Sequence, residues 1–127
     1  MKKEIIIIVI ILFFIVSIDF VLSRNIHNSI GDICLELGEL NDLIEKKNFD
    51  EINIKFDGVE ESWLDSEKSF SFYLEHDELE KVGTELAVLK SNIGSEQWDE
   101  AEVDISKLQF ILEHLKEKID LKLKNIF

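Results

Sequence analysis

The 127-residue chain has no proline and only five glycines. Nothing along it locks φ or removes a backbone donor, so a helix can run until glycine or capping chemistry stops it. The single cysteine, Cys34, rules out an internal disulfide and leaves the fold to rest on packing alone. Three histidines, His27, His76 and His114, are the other scarce ligands. There is no His-Glu-x-x-His, Cys-x-x-Cys, EF-hand loop or glycine-rich phosphate loop. The Glu-x-x-His pairs of a di-iron bundle are missing as well, because Tyr73 and Ile111 stand three residues before His76 and His114. Positive charge is also short: beyond residue 23, 12 Lys and Arg face 25 Asp and Glu, a net charge of −13. Such a surface repels phosphate and argues against nucleic acid as a partner.

What the chain does have is one long apolar run, Ile5 to Leu22, broken only by Ser17 and Asp19. As a helix its 18 residues cover about 27 Å, close to the hydrocarbon thickness of a bilayer. Lys2 and Lys3 precede it, the charge layout of a signal sequence or an N-terminal anchor. The run is longer than a usual signal core. The only small-residue cleavage candidate, Val21-Leu22-Ser23, is poor, and no lipobox leads to Cys34. The sequence therefore favours a retained anchor, residues 1–23, over a cleaved signal. The basic flank puts the N-terminus in the cytoplasm and residues 24–127 outside it.

Four apolar tracks follow at alternating three- and four-residue spacing. They are Ile26, Ile30, Ile33, Leu37, Leu40, Ile44; Ile52, Phe56, Val59, Trp63, Phe70, Tyr73 with Ser66 as a gap; Leu79, Val82, Leu86, Leu89, Ile93; and Trp98, Ala101, Ile105, Leu108, Leu112, Leu115, Ile119, Ile126 with Lys122 as a gap. Each set lies on one helical face at the 3.5-residue repeat of bundles and coiled coils. The expected fold is all-α: a transmembrane helix continuing into an antiparallel up-down bundle of about four long helices. Lys46-Lys47 suits a helix end, with Asn48 capping the next helix. Asp77 with Glu80 reads as a capping box for the third helix. Gly94 is the expected left-handed residue of the last break, with Ser95 as the next N-cap. The weakest break is at His76-Asp77, where the second and third helices could instead be continuous. "FDEINIKFDGV" (49–59) echoes "WDEAEVDISKL" (98–108), and "FYLEH" (72–76) echoes "FILEH" (110–114). The two offsets disagree, so no clean repeat is read; aromatic-Asp-Glu suits any first helical turn, where the dipole favours acid.

Candidate chemistry is sparse. Glu75-His76-Asp77-Glu78 could hold a divalent cation weakly but reads better as a solvated, capped turn. Cys34 lies beside a core position and reads as a small buried hydrophobe rather than an intermolecular disulfide. Among the aromatics, Phe72 lies off its stripe and is the one expected at the surface. The C-terminal "HLKEKIDLKLKNIF" gathers four lysines in an acidic domain. At about 1.5 Å per residue, helices over 24–47, 49–75, 78–93 and 96–125 would bring the C-terminus back to the membrane. The candidate membrane-interface contacts are Asp19, Lys122, Lys124 and Phe127, with either lysine a potential partner for Asp19. An aspartate merely reaching interfacial water is the simpler alternative.

The N-terminal span, aromatic-Asp-Glu at Phe49, Trp63, His76-x-Glu78, Leu86, Leu89 and Asn125-Ile126 together resemble a family of small, single-span bacterial proteins known as domain of unknown function 4363. The resemblance implies an anchored, all-α domain with a membrane-protein partner. It brings no activity, cofactor or functional residues. The expectation is a non-catalytic interaction module, an accessory or scaffolding subunit of a membrane complex, bound to lipid through its N-terminal helix. No cofactor, nucleic acid or small-molecule substrate is expected, and a second copy of the chain is an allowed partner. The alternative is an extracytoplasmic sensor or weak cation-binding bundle.

Overall fold

The structure, a computed structural model, describes residues 1–126, leaving out the side chains of Leu123 and Ile126. It consists of α1 (Lys2–Glu45), α2 (Phe49–Phe70), α3 (His76–Gly94) and α4 (Trp98–Ile126), with no strand among the described residues. The chain is an all-α bundle. α1 is an unbroken rod of 44 residues, about 66 Å long at the usual rise. None of its most apolar 18-residue stretch is buried, and this part projects beyond the other helices as a bare helix long and apolar enough to cross a membrane. Burial begins at Ser23 and continues through Ile26, Ile30, Ile33, Leu37, Leu40 and Ile44.

Cross-links give the direction of each helix. On α1 and α4, His27 meets Asp120 while Gly38 lies beside Gln109. On α1 and α2, Asp19 meets Tyr73 just past the helix, Glu36 meets Ser62 and Glu39 meets Lys55. On α3 and α4, Glu78 meets Lys118 and Asn92 meets Asp104. Numbers rise on one helix as they fall on its neighbour, so each pair is antiparallel. α1 packs on α2 and α4, α4 also packs on α3, α2 and α3 are the most sparsely packed neighbours, and α1 and α3 lie across the diagonal.

The inward stripes agree with the spacing in the sequence. The core holds the five apolar positions of α2 from Ile52 to Phe70, all five of α3, and Ala101 through Ile119 on α4. Trp98 and Tyr73 are only half-buried, and Leu74 is an additional core residue. An interior built this way follows from a 3.5-residue apolar period with no proline to interrupt it.

The two turns at the end away from the bare helix are geometric copies. In the first, Lys46 N–H donates to Asp42, Lys47 N–H to Ile44 and Asn48 N–H to Leu43. In the second, Ser95 N–H donates to Ser91, Glu96 N–H to Ile93 and Gln97 N–H to Asn92. Both are Schellman closures. The left-handed residues are Lys47 and Glu96, each with φ 57°. Gly94, expected in that role, instead ends α3 with ordinary φ, because the closure needs its positive φ two residues later. The next helices then open on Phe49 and Trp98, stacked with centroids 4.9 Å apart and planes at 15°. Each is followed by two acids in the first turn.

The match runs further than the turns. Moving the first hairpin forward by the 49 residues that separate Phe49 from Trp98 lays Ile30, Ile33, Leu37, Leu40 and Ile44 on Leu79, Val82, Leu86, Leu89 and Ile93. It also lays Ile52, Phe56, Val59, Trp63 and Phe70 on Ala101, Ile105, Leu108, Leu112 and Ile119, and all of these are buried. The bundle is a structural repeat of one helical hairpin, which the disagreeing offsets of the two sequence echoes had argued against. The echo at "FYLEH" and "FILEH" has no such basis: the first is mostly turn and the second is mid-helix. The halves differ in bulk. α2 carries Phe56, Trp63 and Phe70 where α4 carries Ile105, Leu112 and Ile119.

At the opposite end the α2–α3 connection departs from expectation. α2 stops at Phe70 and α3 starts at His76, so the helices are separate. The stop comes where Leu74 N–H and Tyr73 N–H both turn back to the Phe70 carbonyl, and Ser71 Oγ donates to the Lys68 carbonyl at 2.5 Å. The capping-box pair is Glu75 and Glu78, with Glu75 N–H donating to Glu78 Oε2 at 3.2 Å, two residues before the expected Asp77 and Glu80.

Candidate functional site at the base of the bundle

Three segments meet where α1 leaves the bundle. The Tyr73 phenol donates to the Asp19 carboxylate, joining the α2–α3 turn to α1. Lys122 on α4 donates to the Tyr73 carbonyl. The buried Ser23 hydroxyl lies on the same phenol. Burial first, then the Asp19 hydrogen bond, raises the Tyr73 phenol above its usual value, against a smaller opposing pull from Ser23. It is therefore a proton donor at any physiological pH. One helical turn beyond Ser23 on α1, His27 Nδ1 lies 2.6 Å from Asp120 Oδ1, a second tie to α4. Phe20, Arg24, His27, Asn28 and Asp120 line a small open recess beside it.

The sequence-selected residues fall as follows. Asp19 is at the junction, but its partner is Tyr73 rather than Lys122 or Lys124. The phenol reaches the carboxylate first because the α2–α3 turn packs directly over α1. Lys122 is exposed and binds the same turn through its backbone. Lys124 is exposed in the last turn of α4. Phe127 lies outside the described residues. Sequence reasoning missed the junction because Tyr73 fitted the core spacing; the signal was that it is the only tyrosine in the chain, an aromatic with a polar tip that looks for a partner when half-buried.

Elsewhere the polar side chains form a few isolated pairs, and Glu85 Oε2 is buried without a hydrogen-bond partner among the described residues. Among the described residues no three His, Cys, Asp or Glu side chains converge as a metal site. In the Glu75–Glu78 segment, Glu78 is engaged by Lys118 and the Glu75 N–H, while the fully exposed His76 lies 3.9 Å from Glu80. Cys34 is half-buried on α1, and burial, reinforced by Glu113 against an opposing Lys116, pushes its thiol up to about 11. That is the thiol of an inert packing residue. Asp104, 5% exposed, accepts from Asn92 at 2.5 Å across the α3–α4 seam. An open groove between α1 and α2 is rimmed by Glu36, Glu51, Glu61 and Asp65.

The architecture is that of a four-helix bundle carried on an apolar N-terminal helix. The model of Domain of unknown function (DUF4363) matches residues 20–126. The chain belongs to this family, and the matched region begins where α1 enters the bundle. No curated protein and no solved structure is significantly similar to it.

Proposed function

We propose that the protein is a single-pass membrane protein whose N-terminus is cytoplasmic and whose acidic bundle stands outside. In this reading it is a non-catalytic accessory or scaffolding subunit of a membrane complex. The observation that carries the reading is α1: a helix of bilayer length with none of its apolar stretch covered, passing without a break into the seam of the bundle. A helix that is apolar all round needs lipid or another membrane helix around it. Lys2 and Lys3 before it, against Arg24 alone just after it, support the orientation.

Two measurements test this. Cysteine substitutions on exposed bundle positions, in a Cys34→Ser background, should react with a membrane-impermeant maleimide in intact cells. Labelling only after permeabilisation reverses the orientation. Purification from native membranes in mild detergent should return the full chain with a stoichiometric membrane-protein partner. Recovery of monomer alone overturns the scaffolding role.

A further inference from the structure

The apolar run and the bundle overlap along α1. Asp19, which holds the Tyr73 phenol, lies three residues before the end of the run at Leu22, about 4.5 Å at the helical rise. When the run fills the hydrocarbon layer, the α2–α3 turn is therefore pressed into the membrane–water interface.

That turn exposes a large apolar side chain. Phe70 and Leu74 point into the core and Tyr73 reaches α1, which leaves Phe72 directed outward, 76% exposed. At the same end, on α4, Leu121 is 59% exposed and precedes the Lys122 that binds the Tyr73 carbonyl. Arg24, Lys68, Lys122 and Lys124 lie exposed around this end. Acids share this end: Glu78 binds Lys118 and the Glu75 N–H and Asp19 binds Tyr73, while Glu75, Asp77 and Glu80 stand exposed where α3 begins. Exposed aromatic and aliphatic side chains with basic groups on the neighbouring helices are a composition that suits the headgroup region.

Resting on the membrane-anchor reading, we infer that the α2–α3 turn, through Phe72 and with Leu121 of α4 at the same end, is a second membrane contact that inserts into the outer leaflet. The Tyr73–Asp19 and Lys122–Tyr73 bonds hold the turn against the anchor. The bundle is thereby seated on the bilayer instead of swinging on a single helix. The partner is the lipid surface, with the lysines and Arg24 meeting lipid phosphates.

Depth-dependent quenching tests this in the full chain. In a Cys34→Ser background, Phe72→Cys, Leu121→Cys, Ile54→Cys and Phe14→Cys each carry one environment-sensitive fluorophore. The proteins are reconstituted in phosphatidylcholine–phosphatidylglycerol vesicles with nitroxides placed either near the glycerol backbone or near the chain terminus. All four native side chains are exposed, so none of the labels disturbs the core. The expected result is strong quenching at 72 and 121 by the shallow nitroxide, none at 54, and quenching at 14 by the deep one. Quenching at 14 with 72 and 121 as silent as 54 overturns the inference and leaves the anchor standing. Silence at 14 overturns the anchor itself, whatever position 72 shows.

Discussion

Removing one oxygen, by Tyr73→Phe, should loosen the base of the bundle without altering its core. The phenol donates to a carboxylate, and hydrogen bonds to charged groups contribute about 1.5–3 kcal/mol. Tyr73 is half-buried, and partial solvent screening brings the expectation to about 1–2 kcal/mol. In a bundle of this size each kcal/mol moves Tm by about 4–8 °C, so the variant should melt about 4–16 °C lower. Far-UV circular dichroism of the full chain in detergent micelles reads the global change. Hydrogen exchange at the amides of 71–75 reads a local opening that the melt could hide. Asp19→Ala should give a similar loss. The double variant should be little worse than either single one, because both remove the same bond. The titration has a definite sign. The folded phenol is raised above its unfolded value, so its contribution is fully present below the unfolded pKa near 10. It is lost as pH rises through the higher folded value. Unchanged melting together with unchanged exchange at 71–75, or fully additive losses in the double variant, would refute the junction.

Cys34 should resist alkylation by iodoacetamide in the folded chain at pH 8 and react only on unfolding, since its thiol stays protonated until about 11. Its contribution to stability is present below pH 9 and lost between 9 and 11. Asn92→Ala strands the buried Asp104 carboxylate and should cost about 1–3 kcal/mol in chemical denaturation. Replacing both by leucine should recover most of that loss, and no recovery would show that the pair is not the cause. Lys47→Gly and Glu96→Gly each relieve a left-handed residue and should raise stability by about 1 kcal/mol, by similar amounts at the two matched turns. A gain at only one of them would argue against the equivalence of the hairpins.

The stripes were legible in the sequence because nothing competes with them. Without proline, a track such as Ile26 to Ile44 has one helical reading, and the structure buries each of its members. The turns were less legible. Gly94 attracts the left-handed role by its chemistry, but the Schellman closure is set by where the last carbonyls need donors, and Glu96 occupies that position. The end of α2 was hidden for a related reason. Phe70 and Tyr73 keep three-residue spacing whether the chain continues as a helix or tightens into a turn, and only Leu74 in the core separates the two. Asp19 was identified at the boundary, yet its partner comes from a turn whose place depends on tertiary packing. The 49-residue match was visible as a fragment and became a repeat only when burial showed the same inward positions in both hairpins.

Equal hairpins of unequal attachment make the molecule mechanically lopsided. The residue matching Ile26 in the second half is Glu75, which starts a helix, whereas α1 simply continues. Tension or tilt applied to the bare helix enters α1 with no hinge to absorb it and reaches α2 and α4 through their flanks. α3, across the diagonal, is loaded last and only through its neighbours. Three helices are thus coupled to whatever holds the N-terminal helix. Only α3 is insulated from it, by one helix on either side.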